Sequence, residues 1–291
     1  MSDRQTDKPA LAIVIMIIAV AMLVAMNTTV KLIGPGFHAF QVTFLRNVVA
    51  AFVLIPFVMW NGGVATLRTK RPGLQLLRSV TGVTGVTCYF FAVQRLPLGE
   101  VMVISQAVPL FVTALAVPLL KEMVGWRRWC AVALGFVGVL LALGPVGQVS
   151  AAGLVAVTGT ALWSVTILTI RSLGATDSPA ATTFYYMVFG TVVAGLVQPW
   201  IWKTPEPGTW VLFIAAGILG GVAQLLIAYA LQIGKASVVS PFNYTAIIWA
   251  MLIDLTVWNV LPTFWTLGGA TIITIAGLYI FRREAVVKEE R

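Results

Sequence analysis

The chain has 291 residues, of which 59% are hydrophobic and only 10% are charged. Its mean hydropathy is +0.95, and a water-soluble domain needs more surface charge than this. The net charge of +9 would suit a nucleic-acid partner, but the positions of the basic residues argue against one.

Ten apolar runs, each about long enough to cross a bilayer as a helix, fill the sequence. In chain order the predicted spans are 10–33, 38–60, 73–95, 99–120, 124–144, 152–171, 177–199, 208–232, 235–259 and 263–281. We therefore expect an all-α integral membrane protein with no soluble domain of useful size.

The basic residues predict the orientation, because cytoplasmic loops carry the excess of Lys and Arg. With both termini cytoplasmic, the inner side holds Arg4, Lys8, Arg68, Lys70, Arg71, Lys121, Arg127, Arg128, Arg171, Lys235, Arg282, Arg283, Lys288 and Arg291. The outer side then holds Lys31, Arg95 and Lys203. The positive charge thus indicates the orientation of the chain in the membrane. We expect the chain to be embedded in a lipid bilayer and not to bind a nucleic acid.

Two halves of the chain resemble each other. The segment 135–140 resembles 275–280, and Lys31 and Arg171 end the first span of each half. Each half has five spans, so the second half must enter the membrane from the opposite side. The predicted architecture is two inverted five-helix repeats, 1–147 and 148–291.

Inverted repeats suit alternating access, in which two similar halves exchange conformations around a central site. A duplication kept for packing alone remains an alternative reading. Polar side chains inside spans need a partner or a cavity and therefore mark the candidate site. The predicted substrate-binding residues are Asn27, Gln41, Tyr89, Ser105, Gln106, Trp163, Gln224, Asn243 and Tyr244.

Arg46 lies well inside the second span, where insertion scales assign about 2.5–3.5 kcal/mol to an arginine. We assign Arg46 and Asp254 to gating or coupling, with Asp254 as a possible partner of Arg46; a structural arginine is the alternative. Arg78 is expected to snorkel to the cytoplasmic interface. Pro109 and Pro241 interrupt helix hydrogen bonding, so freed carbonyls could line a site, although a packing kink explains them too.

Four short segments resemble those of a known family: Ser240–Tyr244, Trp265–Ala270, Tyr89–Ala92 and Leu96–Leu98. They resemble the EamA branch of the drug/metabolite transporter superfamily, and the chain looks most like its YddG-type amino-acid exporters. The resemblance implies ten helices and carriage of small metabolites.

The function expected from these features is export of small neutral amino acids, aromatic ones included, or of similar metabolites, across the bacterial inner membrane by alternating access. The alternative is a carrier of drugs, nucleotide sugars or other metabolites. A membrane-embedded enzyme is a remote alternative, because the sequence has one His and no HExxH motif. No phosphate-binding loop or metal motif predicts a cofactor, and we expect a monomer.

Overall fold

A computed structural model describes residues 9–60, 69–120, 124–144, 149–174, 176–177, 179–234 and 236–289. The predicted boundary between residues 147 and 148 lies outside these ranges. So do several basic residues of the predicted inner side, namely Arg4, Lys8, Arg68, Lys121, Lys235 and Arg291.

The described residues form an all-helical bundle. Its α-helices are α1 Pro9–Ile33, α2 Ala39–Trp60, α3 Pro72–Val93, α4 Leu98–Ser105, α5 Val108–Leu120, α6 Trp126–Ala142, α7 Ala151–Leu173, α8 Pro179–Ile201, α9 Pro207–Ile233, α10 Ala236–Val239, α11 Thr245–Trp258 and α12 Phe264–Glu289. A 3-10 segment, Ser240–Tyr244, joins α10 to α11. We call the end where α1 begins the predicted cytoplasmic end, and the end where α1 stops the predicted outer end.

Within the described residues, seven helices are long and apolar enough to cross a membrane by length and composition. They are Pro9–Ile33, Pro72–Val93, Leu98–Leu120 (α4 and α5 taken together), Ala151–Leu173, Ala181–Ile201, Pro207–Leu231 and Phe264–Arg283, and Ala39–Val53 is a shorter apolar helix. The prediction of a helical membrane protein is confirmed, whereas the count of ten spans stays a prediction. The ninth predicted span differs most, because it is divided into α10, the 3-10 segment and α11.

The helices pack across the two predicted halves in a reciprocal manner. Helix α1 lies along α9, and α3 lies along α7; in each case the first helix of one half meets the third helix of the other. Glycines allow the close approach, since a Cβ atom on Gly85 of α3 would lie 3.1 Å from the carbonyl oxygen of Gly159 on α7. Small residues are the usual means by which membrane helices approach this closely.

Helix α4 lies at the centre of the core. Its residues Val101, Val103 and Ile104 have no exposed surface, and α11, α7 and α12 pack around it. The polar groups where α4 ends are therefore held deep inside the bundle.

Candidate functional site

Two interrupted helices form the centre of the candidate site. Helix α4 stops at Ser105 and α5 begins at Val108, because Pro109 has no N–H to donate to the carbonyl of Ser105 and its ring crowds that carbonyl. Pro241 lies in the 3-10 segment that interrupts the second helix. The prolines thus break both helices, as the sequence predicts.

A hydrogen bond connects the two breaks. The side-chain amide of Gln106 donates to the main-chain carbonyl of Asn243, with 3.0 Å between Nε2 and O. Gln106 follows the last residue of α4, and Asn243 lies in the 3-10 segment. We call Ser105, Gln106, Asn243 and Tyr244 the helix-break junction; all four side chains are half-buried.

Aromatic residues lie on α3 and α7, the helices that pack beside this junction. The hydroxyl of Tyr89 on α3 lies 3.5 Å from the sulfur of Met102 on α4, whose carbonyl accepts a 2.8 Å hydrogen bond from Ser105. On α7, Ser164 donates to the carbonyl of Val108 at 3.4 Å, which puts the neighbouring Trp163 at the depth of the break. The structure therefore brings Tyr89, Ser105 and Trp163 to one level of the bundle.

Tyr244 is held against α12 by a glycine. Its hydroxyl occupies the space that a Cβ atom on Gly277 would fill, and it bonds to no described residue although it is buried. This hydroxyl therefore has a hydrogen-bonding capacity that no described residue uses.

Two further predicted site residues lie on α1, which borders the junction, and on α9, which packs against α1. Asn27 is buried on α1 with no hydrogen-bond partner for its Oδ1 among the described residues, and α1 packs against the 3-10 segment. Gln224 is exposed on α9. It lies one turn beyond Gly220, whose hypothetical Cβ would come within 2.8 Å of Arg46 Nη2.

Gln41 lies away from the junction, at the predicted outer end. Its side-chain Nε2 donates to the carbonyl of Lys203 at 2.7 Å, and its Oε1 accepts from the Lys203 N–H at 3.2 Å. Both ends of the amide are therefore bonded to one main-chain position in the connection between α8 and α9.

Asp254 also lies at the predicted outer end, where it joins three helices. Its Oδ1 forms a 2.8 Å ion pair with Lys31 of α1, and its Oδ2 accepts a 2.7 Å hydrogen bond from the N–H of Gly99 at the start of α4. The suggestion that Asp254 pairs with Arg46 is wrong. Asp254 pairs with Lys31 instead, because α1, which carries Lys31, packs directly on α11.

Arg46 belongs to a separate group of polar residues on α2, α3 and α8. Its Nη1 donates to Oδ1 of Asn47 at 3.0 Å. Arg78 is buried, with its guanidinium carbon 4.5 Å from the centre of the Tyr186 ring, so the expectation that it snorkels to the interface is wrong. We call Arg46, Asn47, Arg78 and Tyr186 the arginine cluster.

A carboxylate outside the predicted membrane interior connects the halves at the predicted cytoplasmic end. Asp177, between α7 and α8, accepts hydrogen bonds from the side chain of Thr69, from the N–H of Lys70 at 3.1 Å and from the amide of Gln75 at 2.8 Å. The Thr69 hydroxyl contributes most, and together these donors hold the pKa of Asp177 at about 2, since each bond favours the charged form. The charged carboxylate of Asp177 therefore fixes the segment that leads into α3 to the connection between α7 and α8.

Sequence reasoning missed several residues of these sites. Lys31, Asn47 and Tyr186 occur in amphipathic or apolar runs where nothing local reveals a long-range partner. Trp249 on α11 has a buried indole N–H that bonds to no described residue. Its position in the middle of a predicted span, away from the membrane interfaces where tryptophan is enriched, is the one signal that could have singled it out.

Within the described residues, no group of three or more His, Cys, Asp or Glu side chains could hold a metal ion. Buried amide, hydroxyl and indole groups at two interrupted helices, inside an apolar helical bundle, define a membrane transport protein.

The particular family follows from sequence comparison. A profile of the EamA-like transporter family matches residues 10–144 and 150–282, and the chain belongs to this family of transporters. It is a multi-pass protein of the bacterial inner membrane and not an enzyme.

Its relatives carry several metabolites. The chain is 29% identical to an S-adenosylmethionine uptake transporter of Rickettsia bellii, over 87% of each chain. It is 29% identical to a riboflavin transporter of Vibrio cholerae, over 86% of this chain and 85% of the relative. It is 26% identical to a pseudopaline exporter of Pseudomonas aeruginosa, over 88% and 91%.

The predicted family is thus confirmed, but these relatives favour the metabolite-carrier alternative over amino-acid export specifically. A crystal structure also matches the fold, with a TM-score of 0.62 and 18% sequence identity, over 93% of this chain and 96% of that one.

Proposed function

We propose that this transporter carries a polar metabolite with a planar aromatic ring, bound at the helix-break junction. The observation that carries the proposal is the Gln106–Asn243 hydrogen bond, which joins two broken helices beside Tyr89 and Trp163. Main-chain groups at such breaks are available to polar parts of a substrate, and aromatic side chains offer faces on which a ring can stack.

The substrate class is supported by the relatives. S-adenosylmethionine and riboflavin, which two of them carry by name, both combine a flat heteroaromatic ring with hydrogen-bonding groups. Aromatic amino acids share that combination in smaller form, so the amino-acid reading enters the test as a competing cargo.

We also propose ten spans in two inverted halves, 1–147 and 148–291, with both termini cytoplasmic. The reciprocal packing of α1 on α9 and α3 on α7 supports two equivalent halves, because a twofold axis that relates them exchanges those two pairs, and an odd number of spans in each half makes that axis lie in the membrane plane. Tags at the two ends that are reached from opposite sides of the membrane would contradict the proposal.

Alternating access requires contacts that can open at each end in turn. Lys31 and Asp254 supply such a contact at the predicted outer end, and Asp177 supplies one at the predicted cytoplasmic end. We therefore place Asp254 in the outer gate.

The test is counterflow in vesicles loaded with S-adenosylmethionine, riboflavin or phenylalanine. We expect at least one labelled cargo to exchange faster than in empty vesicles, and we expect Trp163→Ala and Gln106→Leu to lower its rate about tenfold or more. A loss of this size corresponds to about 1.4 kcal/mol, within the range of a lost stacking contact or hydrogen bond.

Trp200→Ala is the matched control, because Trp200 lies in the last turn of α8 with 81% of its surface exposed. This variant should exchange at the wild-type rate. If Trp163→Ala also exchanges at that rate, the helix-break junction is not the binding site.

A further inference from the structure

The arginine cluster brings two cationic side chains together inside the bundle. Arg46 and Asn47 come from α2, Arg78 from α3 and Tyr186 from α8. The guanidinium carbon of Arg78 lies 4.5 Å from the centre of the Tyr186 ring on α8. Asn47, which accepts a hydrogen bond from Arg46, lies against Gly190, one turn along the same helix. The two arginines are therefore placed along neighbouring turns of α8.

Glycines on the adjoining helices make room for this cluster. A Cβ atom on Gly82 would lie 2.9 Å from the Tyr186 ring, and one on Gly190 would lie 2.9 Å from Asn47 Nδ2. Each of these glycines lets a large polar side chain lie flat against a neighbouring helix.

The cluster has more donors than it uses. Arg46 Nε, Asn47 Nδ2, and Nε and Nη1 of Arg78 are all buried and donate to no described residue. Arg78 is only 6% exposed and Asn47 only 2% exposed. Buried donors of this kind are normally bonded, and here they belong to three side chains of one cluster.

The positive charge of the cluster is also unbalanced within the described residues. The ion pair found among them joins Lys31 to Asp254, and no described carboxylate bonds to Arg46 or Arg78. The Tyr186 ring attracts a cation through its π face, but it carries no charge and accepts none of the guanidinium N–H groups in the described hydrogen bonds.

Arg95 shows how a structural arginine in this chain behaves. It lies exposed near the predicted outer end, where its Nη1 donates to the carbonyl of Phe91 at 3.0 Å and its guanidinium stacks 3.6 Å from the Phe91 ring. By contrast, Arg78 has a ring contact but leaves two buried nitrogens without an acceptor.

The cluster lies beside the helices that form the transport site. A Cβ atom on Gly82, which packs against Tyr186, would also lie 3.4 Å from the side chain of Thr166 on α7. Thr166 is one turn from Trp163. On the other side, Arg46 lies against Gly220 of α9, one turn from the exposed Gln224. Arg78 lies one turn from Gly82 on α3, and Trp163 lies one turn from Thr166 on the adjoining α7, so the cluster and the aromatic part of the proposed site lie on neighbouring turns of two packed helices.

We propose that the arginine cluster binds an oxyanion of the cargo, a carboxylate or a phosphate. This inference rests on the proposed function, since it assigns the charged end of the same substrate. The planar fork of a guanidinium matches two oxygens of either group, and Asn47 adds a further N–H. The anion would supply both the missing acceptors and the missing negative charge.

The test uses two pairs of probes that differ in the anion. S-adenosylmethionine is compared with its decarboxylated form, and riboflavin 5′-phosphate with riboflavin, by equilibrium binding to the purified protein. We expect the anionic member of at least one pair to bind tenfold or more tightly than its partner. The carboxylate pair and the phosphate pair distinguish the two sources of the oxyanion.

Arg46→Met and Arg78→Met should each abolish that preference, while binding of the partner without the anion changes less than threefold. Arg95→Gln, which also removes one positive charge, should keep the preference. Equal affinity within both pairs for the wild-type protein, or a preference that survives in both methionine variants, would overturn the inference.

Counterflow of the same probes separates this inference from the proposed function. Exchange of riboflavin without any preference for its phosphate or for the carboxylate overturns the anion site alone. A protein that neither binds nor exchanges any probe overturns both.

Thermal unfolding of the ligand-free protein excludes a merely structural role. Arg78→Met should keep or raise the melting temperature, because it removes a buried cation that lacks an acceptor. A lower melting temperature, together with an unchanged anion preference, would show that Arg78 serves the fold and not the ligand.

Discussion

The ion pair between Lys31 and Asp254 offers the most direct test of how the predicted outer end is held closed. Replacing Asp254 by Asn keeps the size of the side chain and one oxygen that can accept from the N–H of Gly99. It removes the negative charge, and the Lys31 ammonium is left without its counter-ion.

The geometry sets the magnitude. The Asp254 side chain is 4% exposed and that of Lys31 14%, so the pair is largely buried, and removing one partner of a buried pair costs about 3–5 kcal/mol. Lys31 also lies 4.3 Å from the centre of the Trp258 ring, a contact worth about 0.5–2 kcal/mol that survives the change. We therefore expect Asp254→Asn to lower the free energy of unfolding by about 3 kcal/mol, at the low end of that range.

The assay is equilibrium unfolding in mixed detergent micelles, with Lys31→Met added in a double-mutant cycle. The double variant should recover about 2 kcal/mol relative to Asp254→Asn alone, because it buries no unpaired charge. A loss below about 1 kcal/mol in Asp254→Asn, the scale of a surface pair, would refute the reasoning.

Further predictions concern the opposite end and the junction. The pKa of Asp177 is depressed from 3.8 to about 2, so its contribution to the free energy of unfolding is complete above about pH 4 and disappears as the pH falls towards 2. Asp177→Ala should lower the free energy of unfolding by about 1–2 kcal/mol at neutral pH. In unfolding experiments at a series of pH values, this variant should also lose stability less steeply towards acid pH than the wild-type protein. Gly277→Ala should slow counterflow severely by displacing the Tyr244 hydroxyl, at an overpacking cost of about 1–3 kcal/mol. Adding Tyr244→Phe, which leaves a ring carbon 3.0 Å away, should restore stability, and a double variant no more stable than Gly277→Ala would show that the overlap is not the cause.

The local features of this protein follow from its sequence. Hydropathy predicts a helical membrane protein because a span must bury its backbone in its own hydrogen bonds. Pro109 and Pro241 predict the two helix breaks because a proline cannot continue the hydrogen-bond ladder. Gln106 and Asn243 could be chosen for the site since polar side chains next to a break seldom face lipid.

The partners of the charged residues depend on packing between distant segments. Polarity shows that Asp254 needs a donor, but α1 and α11 had to be brought together before Lys31, 223 positions away, could be distinguished from Arg46. The sequence predicts that Gln41 binds substrate, because a polar side chain inside a span needs a hydrogen-bond partner. In the structure that partner is the main chain of Lys203.

The arginine cluster illustrates the same division. Arg46 and Arg78 lie on separate helices of the first half, and each alone resembles a structural or snorkelling arginine. Their common environment arises only because α8, from the second half, packs Tyr186 against Arg78 and Gly190 against Asn47, the partner of Arg46. Hydrophobicity and helix propensity act over a few neighbouring residues and can be read along the chain, whereas electrostatic pairing depends on distances that exist only after the helices have packed.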